Sequence, residues 1–279
     1  MSLEPGGRTD KEGNVYENRF LARLLLQVIN EKLHYVQVEP VEKNSDYAEF
    51  IAVDWEGKRR YYQCKSSNGD CDHWRLSDMK AYEIFSNAKK IVCSDAQNEY
   101  VFISPLGYDG LDSLCNRART SSSPEDFVTY QLNQKYRSYF DTIAQTLQLD
   151  TSMARDRAKL VGILSRCYFE TYGRSREERE DLEAQIGYMF LGPAETVRIL
   201  LEQYANDNRQ YGVKITAEAL LKYLKRQKIK LRNICRDESV LSQIQTLNNV
   251  QWGTFLPINN TLLHRDTTQQ LIRKFEEGS

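Results

Sequence analysis

The stretch "EFIAVDWEGKRRYYQCKSS", residues 49–67, decides the fold. Residues 49–55 alternate, Gly57-Lys58 supplies a turn, and "RRYYQCK" returns as a second run at 59–65, a pattern that predicts a β-hairpin. Side chains alternate along a strand, so Gln63 and Lys65 share one face while Tyr62 and Cys64 share the other. A polar residue and a cation two positions apart, at the end of an apolar strand, mark either a solvated sheet edge or an ion-binding site.

Upstream, "YVQVEPV" at 35–41 reads as a further strand ending near Pro40. Before it, residues 14–33 carry Tyr16, Phe20, Leu21, Leu24, Leu25, Val28 and Ile29 at helical spacing, the stripe of an amphipathic helix. Glu17 falls on or beside that stripe, where a carboxylate must be paired, hydrogen-bonded, metal-bound or at the wet margin. Downstream, Ser77 predicts an N-cap opening a helix over "DMKAYEIFSNAKK", followed by strands over "IVCS" and "EYVFISP". "RARTSSSPEDF" at 117–127 is a Ser-rich break read as a boundary. Beyond it the periodicity predicts helices over Phe127–Leu149, Ala154–Tyr172 (with "CYFETY" as an alternative strand) and Glu177–Leu191. Two more follow, one over Ala194–Tyr204 after Pro193 and one over "AEALLKYLKR" after a Thr216 cap. The expected architecture is α/β over residues 8–116, followed by a mostly α-helical coupling region over 117–279.

The 279 residues carry 38 Lys+Arg against 39 Asp+Glu, a net charge of -1, so bulk charge gives no argument for a nucleic-acid partner. No apolar run approaches the ~20 residues of a membrane span, and the start has no signal-peptide core, so a cytoplasmic location is expected. The six cysteines form no repeated Cys-x-x-Cys pair, and Cys71 and His73 lack the spacing and fourth ligand of a zinc site. No GxxxxGK[ST] loop occurs. His34 and His264 have no partner at recognisable spacing and read as structural, and Asp70, Asp72 and His73 read as a solvated loop. The cationic run at 222–236 is either the wet face of a helix or a track for a DNA backbone; Lys58, Arg59 and Arg60, in the hairpin, are better phosphate candidates.

Three features belong together: Glu17 on the first helix, Asp46 and Glu49 at the start of the second strand, and Gln63-Cys-Lys65 ending the third. A divalent cation such as Mg²⁺ wants hard oxygen ligands, typically one or two carboxylates with carbonyls and water. Phosphodiester hydrolysis needs that cation and a fixed positive charge near the attacking water, which Lys65 would supply. The Gln63 carbonyl would be a neutral ligand.

This arrangement resembles the PD-(D/E)xK nuclease superfamily in its Q-x-K variant, and within it the double-stranded DNA endonuclease domain that acts as an effector in bacterial antiphage systems. The resemblance rests on Gly6-Gly7, "YENR" in the first helix, the D…QCK strands and "WRLSDM" after them. It continues more weakly through "ITAEALLKYL" and "FLPINNTLLHRDTTQQLI". It implies a restriction-endonuclease-like core, a central mixed sheet flanked by helices. It further implies Asp46 (preferred) or Glu49, with Gln63, Lys65 and Glu17, as catalytic residues, and Mg²⁺ or Mn²⁺ held by Asp46, Gln63 and Glu49. The substrate would be double-stranded DNA cut with little sequence specificity, its phosphates met by Lys58, Arg59 and Arg60. An ATPase domain would follow in the full-length protein, and homo-oligomerisation would switch the nuclease on. The terminal amphipathic stretch, which supports nothing after it, is expected to lead toward that domain. Two other readings stand beside this one: a catalytically silent, nuclease-derived module that binds nucleic acid or a partner protein, and a plain helical adaptor.

Overall fold

The computed structural model describes residues 6–40, 48–66, 71–173, 176–209 and 212–232. The apolar stripe of the first segment folds as helix α1 (Gly6–Ile29), followed by β1 (Tyr35–Val38), β2 (Phe50–Val53) and β3 (Arg59–Cys64). β1 pairs antiparallel with β2, and β2 with β3, with Phe50 opposite Tyr62. Asp54 closes the β2–β3 turn: its carboxylate accepts from the Glu56 and Lys58 backbone N–H groups at 3.0 and 2.9 Å. Gly57, at φ 84°, takes the left-handed conformation that the turn demands.

The chain then crosses over through α2 (Leu76–Ala81) and α3 (Ile84–Ser94) into β4 (Asn98–Ser104), which pairs parallel with β3. Helices α4 (Leu111–Thr120) and α5 (Pro124–Asp126), a π-helical turn at Phe127–Gln131, α6 (Gln134–Thr146) and α7 (Ala154–Leu164) lead to β5 (Cys167–Thr171), parallel to β4. Helix α8 (Arg176–Met189), β6 (Phe190–Leu191) and α9 (Ala194–Asp207) follow. The chain closes with β7 (Lys214–Thr216), α10 (Ala217–Arg226) and β8 (Lys230–Leu231). The result is a six-stranded mixed sheet in the order β5-β4-β3-β2-β1-β7, with β6 and β8 as a separate pair.

β2, β4 and the Tyr61–Cys64 part of β3 are buried, as expected where both faces are covered. One face (Ile51, Tyr61, Tyr100, Phe102) packs under α3, α4, α6 and α7. The other (Phe50, Tyr62, Cys64, Val101) packs against α1, α9 and α10. Burial of this much apolar surface, at roughly 25 cal/mol per Å², is the main force holding the layers together.

Several sequence expectations need correction. The helix after the hairpin starts at Leu76, with the Arg75 N–H donating to the Asp78 carboxylate at 2.9 Å, so Ser77 is not the cap. It breaks at Tyr82–Glu83, where Glu83 sits at φ 55°. "IVCS" is not a strand. Ile91 and Val92 continue the buried stripe of Ile84, Phe85 and Ala88 at helical spacing, so the periodicity overrides the β-branched pair. "CYFET" is a strand rather than the end of a helix, and the break at 117–127 falls within α4 and α5, ahead of two strands, β5 and β7, that join the main sheet. Pro193 and Thr216 do precede their helices, and the Thr216 hydroxyl accepts from the Ala219 N–H at 3.4 Å. Among the described residues no helix is long and apolar enough to cross a membrane.

Candidate functional site: the Lys65 end of β3

Beyond the last residue of β3, the Lys65 N–H still donates to the Ile103 carbonyl at 2.9 Å, so its backbone is fixed by the sheet. Before the first residue of β2, the Glu49 N–H donates to the Tyr62 carbonyl at 2.9 Å and extends the antiparallel ladder by one step. The two residues therefore meet at the same sheet end. Glu49 Oε2 accepts from the Cys64 N–H at 2.9 Å, while Oε1 stands 3.7 Å from Lys65 Nζ.

The Glu49 side chain is 25% exposed and that of Lys65 35%. Burial pushes the Glu49 carboxyl up to about 7; Lys65 pulls it down, and the nearby Glu17 carboxylate adds to the rise. Glu17 arrives from α1 and is ion-paired with Arg209, which follows α9; the side chains are 17% and 11% exposed. All four charges act on the Cys64 thiol: burial drives its pKa well up, Glu49 and Glu17 add to that, and Lys65 and Arg209 oppose it. Glu49 and Lys65 thus meet at one buried strand end, and the Glu17 and Arg209 charges act on it from further elements.

Gln63 shares its face with Glu49, but its side-chain oxygen is taken by the Tyr100 hydroxyl from the neighbouring strand. The side-chain carbonyl expected to face a metal is instead committed to the core, because Tyr100 is buried and its hydroxyl needs an acceptor. Burial, then Glu49, hold the Tyr100 pKa well above its usual value. Asp46 lies outside the described residues, and among those described no group of three or more His, Cys, Asp or Glu side chains is placed to hold a metal.

Lys58, Arg59 and Arg60 are not beside this site. They stand at the start of β3, roughly 20 Å from Lys65 along a strand rising ~3.3 Å per residue. Lys58 and Arg60 both engage Glu99 of β4, at 2.6 and 2.7 Å, so the hairpin's cations answer a structural carboxylate. In the 222–236 run, Leu220, Leu221 and Leu224 of α10 are buried while Lys222 and Arg226 face outward, the wet-face reading; residues 233–236 lie outside the described residues. Exposed His34 stacks on Trp55 with centroids 4.5 Å apart; His264 and Asp70 lie outside the described residues. His73 and Asp72 hydrogen-bond to each other at 2.5 Å, and the five described cysteines are free.

Sequence reasoning missed Arg209 and Tyr100. The pairing of Glu17 with Arg209 spans 192 positions, and no local pattern announces it. Tyr100 could have been found only through the β3–β4 register.

No family model matches this chain, and neither does any curated protein. Solved structures do match. One is an Acinetobacter baumannii Cap4 SAVED/CARF-domain containing receptor with the cyclic trinucleotide 3'3'3'-cAAA, at 13% identity and TM-score 0.47, over 76% of this chain and 44% of that one. Another is a Moraxella osloensis Cap4 SAVED/CARF-domain containing receptor, at 12% identity and TM-score 0.46, over 76% and 46%. The chain spans less than half the length of these receptors. The matched proteins are described as receptors, two of them with a cyclic trinucleotide. On that finding several expectations are corrected: PD-(D/E)xK membership, Mg²⁺-dependent DNA cleavage, the silent nuclease-derived module, and double-stranded DNA as partner. At this level of likeness the receptors' ligand does not carry over to this chain, and the site must be argued from its own residues.

Proposed function

We propose that the chain is a ligand-binding module whose site, at the Lys65 end of β3, takes a divalent cation together with a phosphate-bearing ligand. One observation supports this reading: the Glu49 carboxylate, tied to the Cys64 N–H at the sheet end, stands 3.7 Å from Lys65 Nζ, and burial pushes its carboxyl up to about 7. A carboxyl that has lost its water without gaining full compensation is stabilised by any added positive charge. Mg²⁺ and Mn²⁺ are hard cations commonly held by one or two carboxylates plus water and ligand phosphate. Glu49 and Glu17 would hold the cation, and Lys65 would meet the phosphate as a point charge. When bound, the cation supplies a positive centre that neutralises both carboxylates and draws a phosphate oxygen. Gln63 contributes by holding the buried Tyr100 hydroxyl in place on the neighbouring strand.

The test is thermal melting with and without Mn²⁺ at pH 7.5. A cation that binds only the folded chain raises its melting temperature; a concentration one hundred times Kd stabilises by about 2.7 kcal/mol. The rise is expected in the parent and lost in Glu49→Gln. An equal rise in both, or none in either, would refute the reading.

A further inference from the structure

A cavity of about 240 Å³ lies among α5, the π-helical turn, α6 and the start of α7, in the helical layer on the opposite face of the sheet from α1. The π-helical turn follows α5 directly, and its Val128 carbonyl accepts from Arg137 Nη2 of α6 at 3.2 Å. From α7, Arg157 Nη1 donates to the Thr151 and Ser152 carbonyls at 2.9 and 2.8 Å. Both arginines line the cavity, and so do Glu125 and Asp141. Among the described residues none of these four is in an ion pair.

Two cations and two carboxylates that share a cavity without pairing leave both signs of charge unanswered there. The backbone carbonyls position the guanidiniums but are neutral, so they do not cancel the charge. A bare anion drawn by the arginines would also meet Glu125 and Asp141, and a bare cation drawn by the carboxylates would meet the arginines. A molecule carrying one charge of each sign meets both kinds of partner at once. The Thr151 and Arg157 side of the cavity is the start of α7, whose dipole favours the negative end of such a molecule. Phe140, 2% exposed, and half-buried Val128 add apolar wall. The volume falls below the roughly 300–1,000 Å³ of sites for drug-sized ligands, so the molecule is small.

We propose that this cavity binds a small zwitterion of the α-amino-acid class, with its carboxylate on Arg157 and Arg137 and its ammonium on Asp141 and Glu125. The site is separate from the Lys65 end of β3 and does not depend on the function proposed there. A guanidinium meets a carboxylate as a planar fork, which fixes orientation as well as charge. The ligand's side chain lies against Phe140 and Val128. Because backbone carbonyls already hold both arginines, less side-chain freedom is lost when the ligand arrives.

The experiment is thermal melting of the whole chain with each standard L-amino acid in turn, followed by calorimetric titration of the one that raises the melting temperature most. At least one is expected to raise it, since a ligand of the folded chain stabilises that state. Its amine analogue without the carboxylate, and its acid analogue without the amino group, should each bind about tenfold more weakly, the cost of a lost charged hydrogen bond. Asp141→Asn should weaken the amino acid about tenfold and leave the acid analogue unchanged, whereas Arg137→Gln should weaken both. Neither substitution breaks an ion pair, and melting without ligand checks that each variant folds; Asp141→Asn decides alone if Arg137→Gln does not. The proposal is overturned if no amino acid raises the parent's melting temperature. It is equally overturned if the acid analogue binds as tightly as the amino acid, which would mark a plain anion site, or if folded Asp141→Asn binds the amino acid as the parent does.

Discussion

The two ends of β3 are built from the same chemistry and reach opposite results. At its start, one carboxylate, Glu99, is met by two cations: Lys58 at 2.6 Å and Arg60 at 2.7 Å, with the Tyr168 hydroxyl adding a third bond at 2.8 Å. Burial pushes the Glu99 pKa up, but these partners outweigh it, and the carboxyl is held below its ordinary range. At the other end Glu49 has one cation at 3.7 Å and a second carboxylate nearby, and burial wins, lifting it to about 7. The first end is a finished ion-pair network with its charge fixed. The second titrates near neutrality and gains from any further positive charge. The number of cations per desolvated carboxylate separates structure from a site.

This contrast can be broken in several ways. The largest effect expected is on pH dependence. The Glu49 pKa is raised above the unfolded value of 4.5, so between about 4.5 and 7 the folded chain keeps a proton that the unfolded chain gives up. Its stabilising contribution is full below 4.5 and is lost as pH rises through 7, a loss of at most about 3 kcal/mol. Chemical denaturation from pH 4 to 8 should show this fall in the parent and a flatter profile in Glu49→Gln. Identical profiles would remove the contrast.

Next, Lys58→Met combined with Arg60→Met should cost about 2 kcal/mol at pH 7, because Glu99, only 6% exposed, loses both its cations. The figure lies below that for a fully buried pair since the two cations are 41% and 42% exposed. Glu99 has a depressed pKa, so the network's contribution is present above the unfolded value and lost as pH falls through the folded one. The double variant should therefore approach the parent in acid, as read by urea midpoints.

Tyr100→Phe removes the hydroxyl that satisfies buried Gln63 and should cost roughly 1–2 kcal/mol without altering the fold seen by circular dichroism. Smallest is Lys65→Met, expected to change stability by less than about 1 kcal/mol, since Lys65 is 35% exposed. It should nonetheless raise the Glu49 pKa, read from the carboxyl carbon resonance, because the cation that opposes the rise is gone.

Much of the sheet's centre was legible in the sequence. β1, β2 and β3 follow from alternation and from the Asp54–Lys58 turn, and α10 from its Thr216 cap, because these signals are local. The edges were not. β7 is three residues long, and its place beside β1 is decided by packing, as is the parallel addition of β5 beyond the helices that precede it. For the site, Glu17, Glu49 and Lys65 could be nominated from helix stripe and strand ends. The role of Gln63 could not, because its partner Tyr100 lies on a strand added in parallel after a crossover. The misplacement of Lys58, Arg59 and Arg60 has a simple cause: a hairpin turn and the free ends of its strands are a strand length apart, though close in sequence. Charge counts alone also could not show that Glu99 engages Lys58 and Arg60.

The most direct measurement is calorimetric titration of Mn²⁺ into the parent at pH 6 and at pH 8. Cation binding must displace the Glu49 proton, held with a pKa of about 7, so affinity should be about tenfold higher at pH 8. Glu49→Gln should bind more weakly and with no such dependence. Absent binding, or equal affinity at both pH values in parent and variant alike, would contradict the account.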